Sequence, residues 1–214
     1  MKTDKTMMTR KILTTLLLCM AMYAQCGWAQ NTVASIRQRY AAMKKYIAKS
    51  DKDEYFKQYY HVEASHNLPA TGPHKEDVYM YFDEKESNED RIYAEHSLKF
   101  VTTKYNYAVR EYYEEYLYDA DGNVAFIYAV QPWLTLGDST DGMDYEFRYY
   151  FSKGKLLQTI VKKSVSGKGQ FVEEYSGATV KEQYRNIYQN YLYEARKFKK
   201  LFEDVEQATY NYSE

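Results

Sequence analysis

The chain has 214 residues, 29 Lys and Arg against 30 Asp and Glu, and a net charge of −1, so its bulk charge excludes strong attraction to phosphate backbones. Both of its cysteines, Cys19 and Cys26, lie in the first thirty residues, so any body that starts after them has neither a disulfide framework nor a cysteine nucleophile. Tyrosine is unusually common, with 26 copies in the chain of which only Tyr23 falls in those thirty residues, and tyrosine suits half-buried strand faces and binding surfaces alike because it joins a large apolar ring to a polar tip.

Lys2, Lys5, Arg10 and Lys11 stand against Asp4 alone, Ile12 to Ala24 is almost wholly apolar, and Gly27-Trp28-Ala29 offers small residues flanking a cut. That order is the pattern of a secretory signal peptide, here residues 1–29. The apolar run is shorter than the roughly 20 residues of a membrane span, which places a retained anchor second. Lipid attachment is the other rival, but Ala24-Gln25 before Cys26 and Leu17-Leu18 before Cys19 put no small residue next to the thiol. Cleavage would leave residues 30–214 as one α+β domain with a net charge of about −4 and no further candidate span, hence a soluble product.

Thr32 to Lys49 reads as a helix, with Val33, Ile36, Tyr40, Met43 and Ile47 on one face and Asn31 or Thr32 as its cap. From Tyr60 the period becomes two. Strands are predicted at 60–67, 78–82, 91–96, 98–105, 109–118, 124–130, 144–151 and 156–163, with a further short one at 170–175. Leu68 to Pro73, Asp119 to Asn123 and Lys153 to Lys155 supply turns, the second through an Asp-Gly pair suited to positive φ. Thr179 and Glu182 have the spacing of a capping box. The helix they would open carries Tyr184, Ile187, Tyr188, Tyr191, Ala195, Phe198 and Phe202 in one stripe, and its end from Glu206 is expected to fray. The simplest assembly is a single antiparallel meander of about seven strands with the N- and C-terminal helices packed on one face, leaving the other face open.

Several clusters offer chemistry, and each has a plainer reading. His61, His66 and His74 fall close together, but on a strand His61 and His66 point to opposite faces, so they read as surface histidines and no metal is expected. Asp119, Asp121 and Asn123 open like a calcium loop, yet glycine falls at the fourth place and Val130 stands where a bidentate glutamate belongs. Asp138, Asp141 and Asp144 read as a solvated loop. Glu111, Glu114 and Glu115 would serve glycoside hydrolysis only if two converged across a cleft, and otherwise read as a charged outer sheet face. No phosphate-binding loop frames Ser166 to Gly169, and no Gly-x-Ser-x-Gly turn exists. No cofactor is expected.

The aromatic residues remain. Tyr112, Tyr116, Tyr145 and Tyr149, with Trp133 in the nearby loop, are the candidate ligand-binding residues, since a row of exposed rings can stack on a sugar or grip a peptide. The same rings would otherwise be cross-strand ladders that stabilise the sheet. The Ala-Gln end of the leader, the Ser35-Ile36-Arg37 segment of a basic first helix, and the Asn67 to Pro73 turn before an aromatic strand resemble a group of exported proteins from Gram-negative anaerobes. The resemblance implies a periplasmic or secreted envelope location and one compact α+β domain, and assigns no residue a role. The expected function is therefore non-enzymatic binding of an envelope partner, peptide or carbohydrate through an aromatic sheet face. The alternatives are a carbohydrate-contacting module, or a hydrolase built from distant His and Glu.

Overall fold

The computed structural model describes residues 32–49, 58–85, 95–136, 142–165 and 169–210. The leader with its cysteines, the 50–57 link, most of the 91–96 strand, Asp138, Asp141 and Ser166 to Lys168 lie outside the described residues. Among the described residues the order is helix α1 (Val33–Ala48), strands β1 (Tyr59–Leu68), β2 (Gly72–Glu84), β3 (His96–Tyr107), β4 (Arg110–Tyr118), β5 (Val124–Leu134), β6 (Met143–Ser152), β7 (Lys155–Val165) and β8 (Val172–Gly177), a 3₁₀ turn (Glu182–Tyr184), and helix α2 (Arg185–Tyr210). The strands form one 8-stranded sheet in sequence order, every neighbour antiparallel, so the fold is α+β with one strand more than the seven expected. Among the described residues no helix is long and apolar enough to cross a membrane.

The expected single-face packing of the helices is corrected. Successive strand residues point to opposite faces, and the core divides along that alternation. Tyr81, Phe100, Leu117, Phe126 and Tyr150 pair across five strands as one row and pack with Ile36, Tyr40 and Met43 of α1. The next row, Met80, Val101, Tyr116, Ile127 and Tyr149, packs with Tyr191, Ala195, Phe198 and Phe202 of α2. Each helix thus covers its own face, in three layers. The strands carry the trace of this: Phe126-Ile127-Tyr128-Ala129-Val130 is apolar throughout, as strands buried on both faces are. Register shifts follow Tyr81, Leu117 and Tyr150, all at the first row, and such bulges bend and twist the strands along that line.

α1 starts where Thr32 Oγ1 accepts from the Ser35 amide at 3.2 Å. Its Tyr40 ring meets Phe126 edge-on at 4.8 Å, and its hydroxyl donates to Glu115. α2 starts differently from the expected capping box. The 3₁₀ turn that leads into it, Glu182–Tyr184, has Lys181 at its cap with no side-chain bond, while the Thr179 hydroxyl pairs with Tyr175 at 3.0 Å. Its far end is pinned rather than frayed: Glu206 is 9% exposed, accepts from the Tyr60 hydroxyl, and lies 2.9 Å from His96 Nδ1. Midway, the Tyr118 hydroxyl donates to the Ala195 carbonyl at 2.6 Å.

The Asp119 to Asn123 turn is as the sequence predicts. Gly122 takes φ 74°, and Asp119 Oδ1 accepts from the amides of Asp121 and Asn123 at 3.0 and 2.8 Å. The carboxylate is thereby spent on closing the hairpin.

Candidate functional site: a carboxylate-centred cavity under α2

Val78, Thr103, Glu114, Ala129, Phe147 and Val161 form the third cross-strand row, on the α2 face. In this row Glu114 stands between the small side chains of Thr103 and Ala129. A cavity of about 420 Å³ opens between this part of the sheet and the first half of α2. That volume falls within the range of small-molecule sites. Glu76, Tyr105, Tyr107 and Glu114 line it from the sheet, and Tyr191 and Lys197 from the helix.

Glu114 is 4% exposed. Its Oε1 accepts from the Tyr105 hydroxyl at 2.6 Å, and its Oε2 accepts from the Tyr116 hydroxyl. Burial pushes its carboxyl above the usual range. The two phenol donors oppose that rise, and Glu194 and Glu76 reinforce it. Burial next to Glu114 likewise pushes the Tyr105 and Tyr116 phenols far up, so both remain donors at any ordinary pH.

A linked stability effect follows. Because the folded carboxyl binds its proton more tightly than the unfolded one, that contribution is complete at low pH and is lost as pH rises through the ordinary carboxylate range toward the raised folded value. Glu114→Gln is expected to remove this slope and to melt above the parent at about pH 8, with the difference vanishing near about pH 4. Melting curves across that range check it.

The walls are fixed by side chains and turns. His74 is 6% exposed, and its Nδ1 donates to the Asn106 carbonyl at 2.5 Å. Asn106 in turn accepts from the Lys75 amide at 2.8 Å and donates to the carbonyls of Pro73 and Ala108 at 2.9 and 3.0 Å. The Tyr105 and Tyr107 rings meet at 5.7 Å and 80°, forming a corner. Tyr112 lies flat against Tyr105 at 5.0 Å and 2°. On the helix, Lys197 Nζ donates to Glu194 Oε2 at 2.9 Å. Glu76 accepts from the Thr103 hydroxyl at 3.4 Å.

The five candidate ligand residues are not brought together on an open face. Tyr116 and Tyr149 are fully buried and Tyr145 is 8% exposed, because all three point into the layer that α2 covers. Tyr145, Phe147 and Tyr149 instead stack along β6 beneath Tyr184 and Tyr191. Tyr112 supports the cavity wall from behind. Trp133 is 49% exposed, but it lies across Gly142, where an added Cβ would meet the indole at 2.5 Å, and Arg110 covers it at 5.6 Å. Gly142→Ala therefore forces the indole out of this seat toward solvent and is expected to red-shift its fluorescence emission relative to the parent.

Two other readings change. Glu114 and Glu115 are buried rather than part of a charged outer face, since helices cover both sides of β4. Glu115, facing α1, accepts from Tyr40, Lys44 and Tyr113, which closes it off. His74 is a wall residue rather than a surface one, whereas His61 is exposed, 2.9 Å from Asp77. Among the described residues no three His, Cys, Asp or Glu side chains group as a metal ion requires. The signal for Glu114 was present in the sequence: two consecutive glutamates inside an aromatic strand must face opposite layers, and two amphipathic helices suffice to cover both. No family model, curated protein or solved structure matches the chain.

Proposed function

We propose that this chain is an exported, non-enzymatic binding domain of the cell envelope whose ligand site is the Glu114 cavity rather than an open sheet face. The observation that carries the reading is a buried carboxylate facing a cavity of about 420 Å³ walled by tyrosine. Leaving such a group desolvated is costly unless the site has a use for it. Both Glu114 oxygens are held by phenol hydroxyls, which suits a fixed counter-charge better than a nucleophile or a mobile proton carrier. The basic, apolar and small-residue order of the leader supports export.

The test is a thermal-shift screen of amines, sugars, carboxylates and short peptides against the parent and Asn190→Trp, a rim substitution that fills the cavity from the exposed side of α2. A ligand at about 100 times its Kd stabilises by about 2.7 kcal/mol, several degrees for a domain of this size. At least one class is expected to raise the parent's melting temperature and to leave the filled variant unmoved. Equal shifts in both proteins place binding elsewhere.

A further inference from the structure

We infer that the cavity selects a small organic cation, an alkylammonium head seated in the Tyr105–Tyr107 corner with Glu114 as its counter-charge. The inference rests on the cavity reading and deepens it. Three features converge. Among the described residues the charges lining the cavity are unbalanced: Glu76, Glu114 and Glu194 face Lys197 as the one fixed cation, and Lys197 is already paired with Glu194. The Tyr105 and Tyr107 rings stand at 80° to one another, so their electron-rich faces bound one corner on two sides. Tyr112, which does not line the cavity, stacks on one face of Tyr105, and His74 packs beside the corner at 6.4 Å from Tyr105 and 5.1 Å from Tyr107, so the corner is held from outside while both tyrosines line the cavity. Tyr107 is 47% exposed at the rim, which gives a ligand a way in.

The chemistry follows. An ammonium group brings its own charge to a carboxylate that is 4% exposed and stands near Glu76 and Glu194, so it supplies the counter-charge that the cavity lacks. A neutral polyol gains hydrogen bonds but no charge compensation, and Glu114 has no free proton donor to offer an anion. Binding should therefore strengthen as pH rises and Glu114 ionises. The other groups that face it are the Tyr105 and Tyr116 hydroxyls from the sheet, Glu76 and His74 from β2, and Tyr191, Glu194 and Lys197 from α2.

The experiment compares choline chloride with its neutral carbon isostere 3,3-dimethylbutan-1-ol, with methyl β-glucoside and with sodium acetate, by NMR titration of the tyrosine ring resonances at about pH 8. Choline is expected to shift the Tyr105 and Tyr107 rings and to bind about tenfold or more tightly than the isostere. Glu114→Gln should remove most of that preference while keeping a melting temperature at or above the parent's, which separates loss of charge from loss of fold. Equal binding of choline and the isostere, or tighter binding of the glucoside or acetate at these same rings, overturns the cation assignment and leaves the cavity as a ligand site. If no compound in this set or in the wider screen moves either ring, both the assignment and the cavity reading fail.

Discussion

Phe147→Ala is expected to cost about 3–5 kcal/mol and to lower the melting temperature by about 6–20 °C. Phe147 is fully buried on the α2 face of β6. Its ring lies 5.8 Å from Tyr145 and 6.2 Å from Tyr149 in near-parallel stacks, and 5.7 and 6.0 Å from Tyr184 and Tyr191. Its cross-strand neighbours Ala129 and Val161 are too small to close over the space left behind. The cost should therefore approach the full transfer and cavity terms. Chemical denaturation checks it: a loss under about 1 kcal/mol would mean that α2 does not seat on this row.

Glu115→Ala is expected to release the other helix. Its carboxylate accepts from the Tyr40 hydroxyl and Lys44 of α1 and from the Tyr113 hydroxyl at 2.5 Å. Lys44 is 43% exposed, so solvent screens its share, and the loss is carried by the two phenols left without an acceptor, about 2–3 kcal/mol. Hydrogen exchange resolves where the loss falls. Amides of Val33–Ala48 should exchange much faster in the variant while those of Arg185–Tyr210 keep their protection, because α1 and α2 pack on separate layers. Glu115→Gln, which keeps an acceptor, should fall between. Equal loss of protection in both helices would contradict the division into two cores.

The contrast between these adjacent glutamates explains how far the sequence could be read. Both helices, the meander and its turns are legible because period and turn chemistry are local. Asp119-Ala120-Asp121-Gly122-Asn123 closes its hairpin for reasons contained in five residues. The placement of the helices is not local. Tyrosine obscured it, because a strand such as Arg110–Tyr118 can be taken either as alternating polar and apolar or as apolar on both sides. Read as alternating, it leaves one face open and turns Tyr112, Tyr116, Tyr145 and Tyr149 into a surface. With α2 on that face, Tyr116 and Tyr149 become core, and the open space lies beside Glu114. The residues that line it come from β2, β3, β4, β5 and α2, so no single stretch of sequence reveals the gap. The pinned end of α2 was hidden in the same way, since Glu206 meets His96 and Tyr60 from distant strands.

The binding assignment rests on one ionisable group, and a titration of the Glu114 side-chain carboxyl carbon by NMR, first in the free protein and then with saturating choline, tests it most directly. The free protein should show a midpoint above the ordinary carboxylate range, and bound cation should draw that midpoint down as the charged form gains its partner. A midpoint at the ordinary value in the free protein, or one that choline leaves in place, would contradict the account.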